Sequence, residues 1–119
     1  MTANETKLIG IVGPCGAGKT SLANRLNALG YTARAIAQEH SYVPDMWQRL
    51  TRPSLLIFLQ ASHPVTSRRR KMNWTLQEWE EQQRRLEHAR RSAHLYLETD
   101  HLTLDEVLEK VLEFLKTRI

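Results

Sequence analysis

The sequence has one cysteine and no long apolar segment among its 119 residues. A single cysteine excludes an internal disulfide and supplies no zinc-finger spacing, so a reducing cytoplasm is the expected location. No segment approaches the roughly 20 apolar residues that a membrane helix needs, and no membrane association is expected. The stretch Met1–Lys7 is polar, so we expect no signal peptide there.

Basic residues are concentrated in one segment. The net charge is +4, and residues 60–91 contain eight Arg or Lys against four Glu, which accounts for the whole excess. Within 84–91 acidic side chains lie three or four positions away, which favours a solvated helix face. The Arg-Arg-Arg-Lys cluster at 68–71 has no adjacent acid. That cluster favours an anionic partner, either a polyphosphate or a nucleic acid.

Apolar, β-branched runs alternate with amphipathic segments, which predicts parallel strands covered by helices. Strands are predicted at 8–12, 31–37, 54–59 and 95–97, and 54–59 is predicted to be central because it is apolar on both faces. We therefore expect a single α/β domain over 1–119, with three layers and a parallel sheet of about four strands.

Helices are predicted between these strands and after the last one. Their predicted ranges are 19–30, 44–52, a turn after Pro64, 75–92 and 103–115. Thr75 with Glu78, and Thr103 with Glu106, form the capping-box pattern at two helix starts. The side chains expected to face inward are Leu22, Ala23, Leu26, Leu29, Met46, Trp47, Leu50, Leu104, Val107, Leu108, Val111, Leu112 and Leu115.

One octet matches the phosphate-binding pattern G-x-x-x-x-G-K-[ST] at every fixed position, between a predicted strand and a predicted helix. It consists of Gly13, Pro14, Cys15, Gly16, Ala17, Gly18, Lys19 and Thr20, and Ser21 follows as a further binding residue. Glycines here are expected at positive φ, turning N–H groups toward an anion beside the helix dipole. Lys19 is predicted to reach the outer phosphates and Thr20 to ligate Mg²⁺. Cys15 occupies a free position and is interpreted as inert.

An acid near the metal is usually found at the end of a neighbouring strand. The strand 54–59 runs into Gln60 instead, which leaves Glu39 and Asp100 as the candidates that follow strands. Glu39 is expected near the carboxyl edge of the sheet, where ligands bind in open α/β folds. We predict that it positions water or Mg²⁺ or acts as a general base, the alternative being a solvated loop residue.

The octet, the strand at 53–60 leading into an arginine-bearing segment, and the strand and helix at 93–115 together resemble small P-loop kinases. Shikimate, gluconate and adenylate kinases are of this type. The resemblance covers most of the chain, and its specific part is the phosphate loop. It implies a P-loop NTPase fold that binds ATP and Mg²⁺. It also implies a lid arginine, Arg68 or Arg69, on the nucleotide, and a loop beside the base that includes Thr99 and Asp100.

The chain departs from that family in one respect. Residues 38–52 are too few for the strand and helices that such kinases place between the second strand and the strand before the lid. If the sheet closes this gap, the second strand becomes the direct neighbour of the first, and Glu39 then takes the position of the acid. A sheet shortened in this way would expose apolar surface, so we expect a homodimer.

The resemblance implies phosphoryl transfer from ATP to a small molecule or nucleotide, or ATP hydrolysis, with Lys19, Glu39 and Arg68 as catalytic residues. The alternative is a nucleotide-dependent switch without catalysis. Nucleic-acid binding through 68–71 is a third hypothesis, disfavoured because no aromatic residues interleave with the basic ones. The lack of an Asn-Lys-x-Asp signature favours ATP over GTP.

Aromatic and histidine side chains are further candidates for contacts with a ligand. Trp47, Trp74 and Trp79 are expected to pack in the core or at an interface. Tyr42, Pro44 and Trp47 are also candidates to border an acceptor pocket. The histidines lack metal-ligand spacing, so no metal beyond Mg²⁺ is predicted.

Overall fold

Four parallel strands form the centre of the fold in the computed structural model, which describes residues 7–71 and 73–118. The strands are β1 (Leu8–Val12), β2 (Thr32–Ala35), β3 (Leu55–Gln60) and β4 (Leu95–Glu98). Their order is β2-β1-β3-β4, with every neighbouring pair parallel. The expected α/β architecture is confirmed, as is the direct pairing of the first two strands. Met1–Thr6, where no signal peptide is expected, lies outside the described residues.

Helices cover both faces of this sheet. They are α1 (Lys19–Ala28), α2 (His63–Arg70), α3 (Leu76–Arg85), α4 (Glu87–Ser92) and α5 (Leu104–Lys116), with a 3₁₀ turn at Gln38–His40 and a π-helical turn at Trp47–Thr51. Side chains of α1 and α5 pack with Ile9, Ile11 and Ile57 in one core. Trp47, Leu86 and Ala89 pack with Val12, Leu56 and Phe58 in the other. The elements therefore form three layers.

The central position predicted for the third strand is confirmed. β3 lies between β1 and β4, and its residues Leu55–Leu59 are all buried because helices cover both of its faces. In the edge strand β4 half-buried and exposed positions alternate, whereas in the edge strand β2 only Ala33 is buried. Within the described ranges no helix is long and apolar enough to cross a membrane.

Three leucines predicted to face the core are instead exposed. Leu29 is 55% exposed because α1 has already ended at Ala28, and Leu104 is 49% exposed because it is the first residue of α5. Leu50 is 78% exposed. Its segment forms a π-helical turn, so the α-helical spacing from Met46 that predicted an inward position does not apply.

The helix predicted over 75–92 is interrupted at Leu86, which separates α3 from α4. No glycine or proline occurs there, so local propensity does not predict the break. Leu86 has φ −95° and ψ −4° and is fully buried on the core face that holds Phe58. Tertiary packing therefore outweighs helix propensity at this position. The capping boxes at Thr75 and Thr103 are both confirmed.

Candidate functional site

The Gly13–Thr20 loop connects β1 to α1. Positive φ is confirmed at its glycines, with values of 153°, 87° and 98° at Gly13, Gly16 and Gly18. A Cβ at Gly13 would lie 2.1 Å from the carbonyl oxygen of Leu59. The end of β1 therefore packs against the backbone of β3 in a way that only glycine allows. Gly18 is the N-cap of α1, so the first turn of the helix begins where the loop ends. The N–H groups of a first turn lack intrahelical acceptors and can bind an anion at the loop.

Lys19 folds back across this loop. Its Nζ donates hydrogen bonds to the carbonyl oxygens of Gly13, at 2.7 Å, and Pro14, at 3.2 Å. The same ammonium group lies 2.7 Å from Oε2 of Glu39. The side chain of Lys19 is only 10% exposed and that of Glu39 only 4%. The predicted phosphate-binding lysine and the predicted acid thus form one ion pair in the protein interior.

Glu39 reaches the loop because β2 pairs with β1, which brings the Gln38–His40 turn beside the end of β1. Gln38 is buried and fixes this turn: its Oε1 accepts from the backbone N–H of Trp47, and its Nε2 donates to the carbonyls of Val43 and Arg85. Oε1 of Glu39 is buried and has no hydrogen-bond partner among the described residues. One carboxylate oxygen therefore keeps its full capacity to bind a ligand.

Cys15 and His40 contact the same carboxylate. The thiol Sγ of Cys15 lies 3.7 Å from Glu39 Oε2 and 3.4 Å from His40 Nε2, and the latter two atoms are 3.7 Å apart. Gln82 of α3 accepts a hydrogen bond from the backbone N–H of Cys15, and its Nε2 lies 3.4 Å from the sulfur. Sequence reasoning missed this group because residues 15 and 39–40 meet only through strand pairing.

A cavity of about 470 Å³ lies on the side of the loop that faces β2. Its lining residues are Cys15, Gly16, Gly18, Lys19, Thr20, Ser21, Ala35, Ile36, Ala37, Glu39 and His40. Both predicted Mg²⁺ ligands, Thr20 and Glu39, are in this set. A hydroxyl and a carboxylate are hard oxygen donors, and Oε1 of Glu39 has no hydrogen-bond partner among the described residues, so the donor types present fit Mg²⁺.

A second cavity, of about 460 Å³, lies on the other side of the loop. Its lining residues are Gly16, Ala17, Gly18, Ser21, Arg69, Thr99, Leu102, Thr103, Leu104 and Val107. The guanidinium of Arg69 donates to the carbonyl oxygens of Gly16, at 3.2 Å, and Thr99, at 2.6 Å, and to the Thr99 hydroxyl at 3.0 Å. The predicted lid arginine and the predicted base loop thus meet at the Gly13–Thr20 loop.

Two other predicted residues lie elsewhere. Arg68 is exposed in a separate depression with Ser67, Lys71 and Asn73, and it lines neither cavity beside the loop. Asp100 uses Oδ1 to accept a hydrogen bond from the backbone N–H of Ser62 at 2.9 Å, which ties the segment after β4 to the start of α2. The structure therefore brings Arg69, and not Arg68, to the loop.

A third cavity, of about 580 Å³, adjoins the loop at Cys15 and His40. The remaining residues that line it are Arg70, Trp74, Thr75, Gln77, Glu78, Glu81, Gln82, Arg84 and Arg85. Trp47 and Trp74 are 6% and 7% exposed, which confirms the predicted packing of these two side chains. Tyr42 is 82% exposed under the guanidinium of Arg85 and does not line this cavity.

No family model matches the chain, and no curated protein does.

The basic segment divides into two parts. Arg84 and Arg85 pair with Glu81, and Arg90 and Arg91 pair with Glu87, so the prediction of a charge-paired helix face over 84–91 is confirmed. Hydrogen bonds from Arg84 and Arg90 hold the pKa values of Glu81 and Glu87 below their ordinary range. For 68–71, no ion pair forms within the portion of the chain that the structure describes.

Proposed function

We propose that the chain is a Mg²⁺-dependent ATP-binding protein with a P-loop NTPase fold, of the small-kinase type and shortened by one strand-helix unit. One observation carries this proposal. The Gly13–Thr20 loop separates a cavity lined by Thr20 and Glu39 from a cavity lined by Arg69 and apolar side chains. A nucleoside triphosphate needs this division, because its phosphates and metal require polar groups while its base requires an apolar slot.

In the proposed complex the base occupies the cavity beside Leu102, Leu104 and Val107, three apolar side chains near Arg69. A planar guanidinium suits both stacking on a base and contact with phosphate. The phosphates follow the Gly13–Thr20 loop, where backbone N–H groups and the first turn of α1 favour negative charge. If Thr20 and Glu39 hold Mg²⁺, the cation would neutralise part of the negative charge of the phosphates.

Lys19 has a defined part in this proposal. Its Nζ now binds loop carbonyls and the carboxylate of Glu39. On nucleotide binding Lys19 exchanges these partners for phosphate oxygens, and Glu39 becomes available to a cation or a reacting hydroxyl. In transfer, the acceptor oxygen bonds to the terminal phosphorus as the bond to the nucleoside diphosphate breaks, and Glu39 takes the acceptor's proton. The acceptor enters from the cavity that adjoins Cys15 and His40.

The alternative function, a nucleotide-dependent switch without catalysis, has a specific observation in its favour. Lys19 and Glu39 neutralise each other, and Glu39 belongs to a turn that Gln38 and Arg85 hold to the rest of the protein. A nucleotide that draws Lys19 away from Glu39 would loosen this turn without any reaction. Tight nucleotide binding with no turnover, on addition of candidate acceptors, would favour the switch.

Titration calorimetry with ATP and Mg²⁺ tests nucleotide binding, which both candidate functions require. We expect saturable binding by the unaltered protein and its loss in Lys19→Ala. The matched control is Lys110→Ala, which removes an exposed lysine of α5. Equal ATP affinity in Lys19→Ala and Lys110→Ala would overturn the proposal.

A further inference from the structure

The contact between Cys15, Glu39 and His40 brings three kinds of metal ligand together. A thiol, a carboxylate oxygen and an imidazole nitrogen lie within 4.8 Å of one another. The three residues come from two different segments, the Gly13–Thr20 loop and the Gln38–His40 turn. Neither thiol nor imidazole is required for the proposed nucleotide binding, so this group is not explained by that function.

The separations between the ligand atoms match those of a tetrahedral zinc site. Typical Zn–S and Zn–N bonds of about 2.3 and 2.0–2.1 Å at tetrahedral angles place sulfur and nitrogen about 3.6 Å apart. The corresponding oxygen–nitrogen separation is about 3.3 Å. Here sulfur and nitrogen are 3.4 Å apart, and each lies 3.7 Å from the carboxylate oxygen Oε2. Oε2 also accepts a hydrogen bond from Nζ of Lys19 at 2.7 Å, so a cation that binds all three atoms takes the place of this ammonium group at Oε2.

Neighbouring residues already fix two of the ligands. Gln82 holds the backbone of Cys15 and contacts its sulfur, and Arg85 donates to the carbonyl oxygen of Glu39. Such outer contacts orient ligands and are typical of built metal sites. The second carboxylate oxygen of Glu39 is buried, without a hydrogen-bond partner in the described part of the chain. This unpartnered oxygen leaves the carboxylate with acceptor capacity beyond the contacts that its Oε2 makes with Lys19, Cys15 and His40.

We propose that Cys15, Glu39 and His40 form a site for Zn²⁺. The side chain of His40 is 59% exposed, so one side of the site opens to solvent and a water molecule completes the four ligands. Thiolate and imidazole select zinc over the hard cations Mg²⁺ and Ca²⁺. The thiol proton leaves to solvent when the metal binds. The bound ion fastens the Gly13–Thr20 loop to the Gln38–His40 turn, independently of any nucleotide.

Cobalt(II) is a suitable probe because it takes the same tetrahedral geometry and reports its ligands by colour. One equivalent of Co²⁺ added to the reduced, nucleotide-free, full-length protein is expected to produce thiolate-to-cobalt absorption in the near ultraviolet, and one equivalent of Zn²⁺ to abolish it. Cys15→Ser should lose this band and bind Co²⁺ more than about 100-fold more weakly, since outer contacts alone change affinity by 10–100-fold. His40→Gln should also bind more weakly.

The matched control is His101→Gln, which removes another exposed histidine and should leave Co²⁺ affinity unchanged. Thermal unfolding provides a second measurement of the same site. Zn²⁺ should raise the Tm of the unaltered chain and should not raise that of Cys15→Ser. Absence of a thiolate band in the folded, unaltered protein would overturn the proposal, as would equal Co²⁺ affinity in Cys15→Ser. Both results are obtained without ATP, so they are distinct from failure of nucleotide binding.

Discussion

Nζ of Lys19 lies 2.7 Å from Oε2 of Glu39, and the two side chains are only 10% and 4% exposed. This ion pair joins the loop after β1 to the turn after β2, so it connects the two segments from which the candidate site is built. Removing one partner of a buried pair leaves an uncompensated charge and typically costs about 3–5 kcal/mol. The pair is thus both a functional candidate and a structural constraint.

A double-mutant cycle on this pair measures the constraint. We expect Lys19→Met and Glu39→Gln each to lower the free energy of unfolding, by up to about 3–5 kcal/mol, because each change leaves the charge of the other residue unpaired. The double variant should lose less than the sum, because no unpaired charge remains. Urea denaturation measures all four proteins. Additive losses would show that the two residues do not interact. Asp45→Asn, in an exposed pair with Arg49, is the control and should change stability little.

Three glycine substitutions distinguish the effect of backbone strain on stability from the effect of an added methyl group on ligand binding. Gly18 and Gly30 have φ of 98° and 99°, and an added Cβ at either meets no atom within 4 Å. Gly18→Ala and Gly30→Ala should each cost about 1–2 kcal/mol from strain alone. Only Gly18→Ala should weaken ATP binding, because Gly18 lines both cavities beside the loop.

Gly13→Ala should be far more damaging than either change, because its Cβ would lie 2.1 Å from a backbone oxygen of β3. Circular dichroism and chemical denaturation provide the comparison. A Gly13→Ala protein as stable as Gly30→Ala would contradict the close approach of β1 and β3 at this position.

The adjacent residues Arg68 and Arg69 provide a matched pair of variants for testing the proposed nucleotide site. Arg69→Ala removes hydrogen bonds to Gly16 and Thr99, so we expect a stability loss of about 1 kcal/mol and an ATP affinity about tenfold lower. Arg68→Ala changes neither of these contacts and should affect both quantities less. Denaturation and calorimetry measure the two effects. A larger loss of ATP affinity in Arg68→Ala would mean that Arg68, and not Arg69, is the nucleotide-binding arginine.

The capping box of α3 predicts a pH dependence. The backbone N–H and hydroxyl of Thr75 donate to the carboxylate of Glu78 and hold its pKa below the ordinary value of 4.5. Because the folded pKa is the lower one, this stabilisation is present above the unfolded value and is lost as pH falls through the folded value. Glu78→Gln should therefore weaken the decline in unfolding free energy below pH 4.5.

Urea denaturation at a series of pH values measures that decline. The control is Glu109→Gln, which removes an exposed carboxylate of α5 without touching a cap. If Glu78→Gln and the unaltered protein lose stability in parallel on acidification, the capping interaction does not form in solution.

Much of the fold could be predicted because its determinants are local. The apolar run at 8–12 forms β1, and the capping residues Thr75 and Thr103 each precede a helix that begins at the next residue. The short interval 38–52 was enough to predict that the second strand pairs with the first. That pairing predicts that Glu39 lies beside the Gly13–Thr20 loop. The ion pair between Glu39 and Lys19 confirms this position.

The rest depends on contacts between distant segments. The break at Leu86 follows from packing on β3, which no propensity of the surrounding residues encodes. The contact of Cys15 with His40 depends on the register of β2 against β1. The choice of Arg69 over Arg68 depends on which face of α2 turns toward Thr99. A sequence places these residues near a site, but only the packed fold decides which atoms meet.

The strand order also has a consequence for the speed of folding. Ile9 of β1 pairs with Ala33 and with Leu55, and Ile57 of β3 pairs with Leu95, so every strand contact closes a long segment of chain. Such closures cost entropy before they bring stability, which slows folding relative to helical proteins of similar size. The first strand cannot complete its pairing until β3 has emerged from the ribosome. Until then one edge of β1 lacks its partner strand, and unpaired strand edges are prone to aggregation.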